Sequence, residues 1–342
     1  MPTRPIFTER FFTQGLSGPP EPDPVSVVER LLAVQGQDPR GARLAVRARS
    51  EGLGTSDIDR ALNERALLIT WLNRGTLHLV RSEDYPWLQM LTTPPLRTSC
   101  TRRLRQEGIA PELGDRAVET IEKALAEEGP LTRHQLRERL ESAGVPTQGQ
   151  ALIHLLFLAA VRGVAVRGPM VGKDHAFVLV RDWLGEAKPI DRDVALAELA
   201  RRYLVGHAPA DDRDLARWAG LPLRDARAGL EAIASELVER DDGLVHLAAC
   251  PPLAEVPPPR LLGAFDPLLL GWTSRERILG PHTHLVTTNG IFRPFALVKG
   301  RAAGTWRLNR GKVSIEPLDR ISRAASVALA ADAADVERFM SN

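Results

Sequence analysis

Apolar residues recur every three or four positions through the first part of the chain, the period of amphipathic helices. Val25, Val28 and Leu32 form one such stripe, which runs into Gln35. Asp23 is placed to cap that helix, Pro24 suits its first turn, and Gly36 suits a left-handed stop. Asp38-Pro39 repeats the cap-and-proline signal ahead of a helix over 41–49, with Leu44, Val46 and Ala48 among arginines. A third helix is predicted over 56–65. The apolar run 67–71 predicts a buried helix, stopped by Asn73-Arg74-Gly75. Residues 76–80 alternate and are rich in β-formers, so they predict a strand, with His78 facing away from Leu77 and Leu79.

Helices followed by a turn and a strand are the order of a winged helix-turn-helix, and that order recurs. Helices are predicted over 116–128, from Thr132, and over 150–161. Arg162-Gly163 then turns into strands 164–166 and 177–180, with 170–175 as the hairpin tip. A third copy starts near Asp193, with helices over 194–203 and after Ala210-Asp211-Asp212. Periodicity continues over 223–239, and Asp242-Gly243 leads to a strand at 244–247. The element order repeats while the residues barely match. Proline-rich 251–259 reads as a linker, beyond which the period falls to two. Strands are predicted at 261–272, 284–288, 292–299, 303–308 and 312–317, with tight turns at Lys299-Gly300 and Arg310-Gly311 and an Ala-rich helix over 322–339. The expected architecture is α+β. Three tandem winged helix-turn-helix modules (1–110, 111–190, 191–250) precede a C-terminal β-rich region with a final helix (251–342), and together they offer a C-shaped DNA-binding surface.

The 342 residues carry a net charge of +2, so overall charge does not demand a polyanionic partner. The distribution is more telling. Arg40–Arg49 and Arg97–Arg105 each hold four arginines and no acid, and arginine suits bidentate phosphate contacts. Cys100 and Cys250 lack metal-ligand spacing, which argues against a zinc site or a disulfide framework and fits a reducing cytoplasm. No apolar run reaches membrane-spanning length and no signal-peptide core is present. No metal or cofactor is expected.

Gln35-Gly36-Gln37-Asp38-Pro39, Trp71-Leu72-Asn73-Arg74-Gly75-Thr76-Leu77-His78-Leu79-Val80, Ala264-Phe265-Asp266-Pro267-Leu268-Leu269-Leu270-Gly271-Trp272, Asn289-Gly290-Ile291-Phe292-Arg293-Pro294 and Gly304-Thr305-Trp306-Arg307 occur in that order. Jointly, across nearly the whole chain, they resemble the winged-helix alkylpurine DNA glycosylases, the AlkZ-like group. The resemblance implies release of bulky or crosslinking guanine adducts, with Gln35 and Gln37 at the positions of the family's catalytic Q-x-Q pair. The middle residue is generally aliphatic in that family and is Gly36 here. The resemblance also implies a β-hairpin against the DNA near the lesion, for which 280–289 is the candidate. Members include self-resistance proteins of producers of DNA-alkylating compounds as well as general repair enzymes.

A glutamine amide offers two donors and two acceptor sites without charge. It can hold a water and face a developing cation without acting as a base. N7-alkylguanine is already cationic, so its departure needs no strong acid. Gln37 is expected to hold the attacking water and Gln35 to orient it. Asp38 is read as a cap rather than the base. The motif contains no lysine for a Schiff base, so an abasic site is the expected product. The cleft is expected to be open, since no aromatic cluster surrounds the glutamines. Arg40, Arg43, Arg47, Arg74, His78, Arg293 and Arg307 are the candidate contacts to double-stranded DNA, bound by a monomer. Trp71 and Trp272 read as core, and Asp266 as a turn or hydrogen-bond acceptor. A winged-helix transcription regulator and a non-catalytic binder of adducted DNA are the alternative readings.

Overall fold

The computed structural model describes residues 6–186, 188–248 and 255–341; Cys250 and positions 251–254 of the expected linker lie outside them. Helix α1 (Ile6–Thr13) precedes a loop over 14–23 that is rich in Gly and Pro. Asp23 then accepts a hydrogen bond from the Ser26 amide at 2.8 Å and Pro24 opens α2 (Pro24–Leu31), burying Val27, Val28 and Leu31. The helix ends at Leu32, not at Gly36. Leu32 has φ 62°, a conformation costing on the order of 1–3 kcal/mol that only its packed surroundings maintain. The chain is extended through β1 (Val34–Gln35), and α3 (Pro39–Arg47) and α4 (Thr55–Asn63) follow.

Two compact units result, one formed by residues up to Ile58 with those from Asp193 onward, the other by Asp59–Arg192. Residues 59–110 therefore pack with 111–192, a different grouping from the four segments of the sequence reading. The division falls within α4. In the second unit, β2 (Leu67–Leu72) pairs with β3 (Thr76–Arg81) through a turn at Gly75, φ 81°. The helix predicted over 67–71 is thus a strand. All six residues of β2 are buried, and a continuously apolar run carries neither period by which helix and strand are told apart. Helices α5 (Tyr85–Thr92), α6 (Pro94–Gln106), α7 (Pro111–Glu128), α8 (Arg133–Ser142) and α9 (Ala151–Val161) follow. Thr132 and Gln135 form a capping box at the start of α8. Strands β4 (Ala165–Val171) and β5 (Asp174–Leu179) complete an antiparallel order β3-β2-β4-β5 within this unit, and α10 (Val180–Leu184) leaves it.

The first unit resumes with α11 (Arg192–His207), α12 (Asp212–Ala219), α13 (Leu223–Ala232) and the hairpin β6 (Leu237–Glu239) and β7 (Val245–Leu247). Beyond the undescribed stretch come β8 (Arg260–Leu262), α14 (Glu276–Leu279), β9 (Phe295–Val298), β10 (Arg301–Asn309), β11 (Lys312–Pro317) and α15 (Arg323–Ser341). The four strands form one antiparallel sheet in the order β11-β10-β9-β8. The strands predicted at 261–272 and 284–288 shrink to β8 and a single bridge, Val286 to Phe292. Asp266-Pro267 instead starts a tight helical turn, and Thr283–Leu285 forms another. Leu44 of α3, Leu261, Ala296 and Trp306 of the sheet, and Leu329 and Val336 of α15 share one core. The first helix after the Q-x-Q stretch is thereby tied to the last helix of the fold. No helix among the described residues is long and apolar enough to cross a membrane.

Candidate active site

The two glutamines sit between a helix that stops early and one that starts on a cap. Because α2 ends at Leu32, Gln35 lies in extended backbone at the end of β1, and Gln37 follows in a bend just before α3. Their environments differ. Gln35 is only 6% exposed, whereas Gln37 is open to solvent. Neither amide makes a hydrogen bond among the described residues. One carboxamide is held by packing and the other is presented to whatever approaches.

Asp38 accepts hydrogen bonds from the Arg40 amide at 2.9 Å and the Gly41 amide at 3.2 Å, with Pro39 opening α3. Its carboxylate satisfies helix N–H groups that would otherwise lack partners. Immediately beyond, α3 meets the Ala264-Phe265-Asp266-Pro267 stretch at two facing glycines. A Cβ on Gly41 would overlap the Ala264 carbonyl oxygen, and one on Gly263 would lie 2.9 Å from Leu44 Cβ and 3.2 Å from Gly41 Cα. Gly41→Ala is therefore expected to push α3 off this support and destabilise the first unit by about 1–3 kcal/mol, measured by denaturant unfolding. An unchanged midpoint would refute the contact.

Two arginines at the far end of α3 lock the arrangement. Arg49 and Asp266 form a fully buried bidentate pair at 2.9 and 3.0 Å. The remaining Arg49 donors reach the Gln14 carbonyl (2.7 Å), Gln14 Oε1 (3.1 Å) and the Ala45 carbonyl (2.9 Å). All five N–H groups of this guanidinium are thus used. Asp266 also accepts the Leu268 amide at 2.9 Å, which starts the turn. The sequence reading of Asp266 as a structural acceptor agrees with this. Arg49 and Gln14 went unread, because nothing in spacing links positions so far apart.

Of the candidate DNA contacts, Arg47 is reassigned. It is 3% exposed, and its terminal nitrogens meet Asp332 Oδ1 at 2.9 Å, Asp332 Oδ2 at 3.0 Å, Asp335 at 3.1 Å and the Leu261 carbonyl at 2.9 Å. A side chain so engaged joins α3 to α15 and β8, and its remaining donor, Nε, is sealed from solvent and out of reach of a phosphate. Arg40 is exposed and has no ion-pair partner among the described residues. Arg43 is half-buried and donates to the Thr55 carbonyl at 3.0 Å. Arg293 is exposed. Arg307 is exposed 3.8 Å from Glu316, a separation worth little in water. A cavity of about 480 Å³ opens at the C-terminal end of α3, lined by Arg47, Arg49 and Asp332 among others, and includes neither glutamine. Residues 280–289, the candidate lesion hairpin, contain the Thr283–Leu285 turn and one side of the Val286 bridge rather than paired strands.

In the second unit Arg74 is exposed at the β2–β3 turn. His78 is reassigned as well. It is buried, as are both its neighbours in β3, so alternation along the strand did not mark a free face. Its Nδ1 pairs with the Thr76 carbonyl at 2.8 Å. Burial, reinforced by the Arg74 charge, pulls its pKa down to about 3. The folded value is below the unfolded one near 6.5. The associated stability is therefore present above pH 6.5 and lost as pH falls toward 3. Between pH 7 and pH 5 the loss amounts to about 2 kcal/mol. His78→Gln should flatten this part of the acid limb in unfolding curves. Superimposable limbs would contradict a desolvated neutral ring. Trp71 and Trp272 are both core, and the Trp272 indole donates to the His207 carbonyl at 2.9 Å. Cys100 is buried and free, its thiol pushed by burial to about 12.

A family model described as DNA glycosylase AlkZ-like matches residues 28–339. A relative described as an interstrand DNA cross-link repair glycosylase, from Streptomyces sahachiroi, is 29% identical over 361 residues, covering 98% of this chain and 95% of its own. The solved structure of Streptomyces sahachiroi DNA glycosylase AlkZ shares the fold with a TM-score of 0.77 at 27% identity, over 98% of this chain and 95% of that one. The α+β chain, with its glutamine pair set before a capped helix, belongs to the AlkZ-like DNA glycosylase family.

Proposed function

We propose that the protein is a monofunctional glycosylase that hydrolyses the N-glycosidic bond of cationic N7-alkylguanine or N3-alkylpurine adducts, bulky and interstrand-crosslinking ones included, and leaves an abasic site. The observation that carries this is an uncharged amide pair set before a capped helix, Gln35 buried at the end of β1 and Gln37 open to solvent. The crosslink-repair description of the relative supports the substrate class. In this reading the cationic base leaves without an acid, and the sugar becomes oxocarbenium-like. Gln37, open to solvent, holds the attacking water through its amide oxygen; Gln35, fixed by burial, orients water and sugar. Fixed dipoles of this kind stabilise developing charge without reorganising. The helix pairs and hairpins act as winged-helix modules on double-stranded DNA, bound by a monomer, with Arg40, Arg43, Arg74, Arg293 and Arg307 as phosphate contacts.

The test is incubation with duplexes carrying N7-methylguanine, a mustard crosslink or an intercalator adduct, followed by detection of free base and alkali-labile sites. Base release from at least one is expected. Binding without release from any would favour a non-catalytic adduct binder, and sequence-selective binding of undamaged DNA without release would favour a regulator. Asp38→Asn, which preserves the cap acceptor, is expected to retain activity within a few-fold. Loss of a thousandfold would make Asp38 the base.

A further inference from the structure

Arginines drawn into this fold are given acceptors: Arg10 has Asp214, Arg47 has Asp332 and Asp335, Arg49 has Asp266, and Arg240 has Glu9 and Asp242. Arg167 breaks the pattern. It lies half-buried on β4, opposite Ile69 of β2 and Phe177 of β5, just before the register irregularity between Arg167 and Met170. No carboxylate or hydrogen-bond acceptor meets it among the described residues, and its Nε is sealed from solvent without a partner. Aromatic faces hold it instead. The guanidinium carbon is 4.9 Å from the Trp71 ring centroid and 5.1 Å from that of Phe177. The charge that acts on it is Arg133, exposed at the start of α8, which repels it; burial and that repulsion lower its pKa to about 10.

A half-buried cation beside a second cation is costly unless an anion completes the site. Two rings flank its guanidinium, and its terminal nitrogens are not among the sealed atoms. That is the geometry of a preset fork for an oxyanion, with little side-chain entropy left to lose on binding. We propose that Arg167 forms a phosphate site for the backbone of bound duplex DNA. The inference rests on the glycosylase reading, since it assumes duplex as the ligand.

The experiment measures affinity for an unmodified labelled duplex over a salt series, with wild type, Arg167→Gln and Arg167→Lys, alongside thermal unfolding and adduct release. The Gln variant is expected to bind several-fold more weakly, with the slope of log affinity against log salt shallower by about 0.9. Its melting temperature should be unchanged or higher, because an unpaired charge is gone. Lys should fall between, keeping charge without the fork. An unchanged slope with a lowered melting temperature in both variants would overturn the proposal and leave Arg167 a packing element. Stabilisation of wild type by inorganic phosphate with an unchanged DNA slope would also overturn it, assigning the site to a free anion. Wild type that releases base while the variants' slopes match it sinks this inference alone; wild type that binds no duplex and releases no base sinks the glycosylase reading.

Discussion

Gln37→Ala is expected to slow single-turnover release of N7-methylguanine by about 10²–10³-fold, the usual consequence of removing one preorganised dipole from a charge-developing site. Duplex affinity should change little, because in the proposed mechanism the residue acts on the sugar and water rather than on the phosphates. Gln35→Ala should also slow release, and the double variant should be no slower than the worse single variant, since both amides act on one water. Gln35 is 6% exposed, so its truncation also leaves a small void; its melting temperature is the control for that. Gln37 is solvent-facing, and its variant should melt with wild type. Release within twofold of wild type in Gln37→Ala would remove the amide pair from the chemistry.

Asp266→Ala is expected to cost about 3–5 kcal/mol, because it strands a fully buried guanidinium. The Leu268 amide loses its acceptor at the same time. Replacing both partners by apolar residues, Arg49→Met with Asp266→Leu, should recover only part of the loss. Arg49 also serves the Gln14 carbonyl, Gln14 Oε1 and the Ala45 carbonyl, and these would be left unpaired. Denaturant unfolding of the full chain reads both values. A cost below about 1 kcal/mol for Asp266→Ala would mean that water reaches the pair.

The parts of this molecule that could be read from sequence are those set by local chemistry. Asp23-Pro24 and Asp38-Pro39 announce helix starts because the cap and the proline act within three residues. Gly75, Gly163 and Gly243 mark turns because each has a positive φ that few other residues tolerate. The end of α2 could not be read. It depends on Leu32, a residue whose own preference opposes the conformation it adopts, and only packing from elsewhere explains it. The same holds for β2, where burial on both faces erased the period, and for His78, whose polar side chain imitated an exposed face. Among the candidate site residues, Gln35 and Gln37 were singled out through resemblance alone. The status of Arg47 was not legible, because Asp332 and Asp335 become its partners only through the tertiary fold.

The arrangement of α3 has a bearing on biosynthesis. This helix, which follows directly on the glutamines, rests on β8 and α15 and holds the last of these through Arg47. A ribosome releases the amides early and their supports late. A nascent chain can complete β2 to β5 within residues 59–192 while the Gln35–Gln37 stretch still waits for its foundation. Premature termination between residues 308 and 322 would therefore leave a polypeptide that contains both glutamines and every family motif but lacks α15, on which α3 rests.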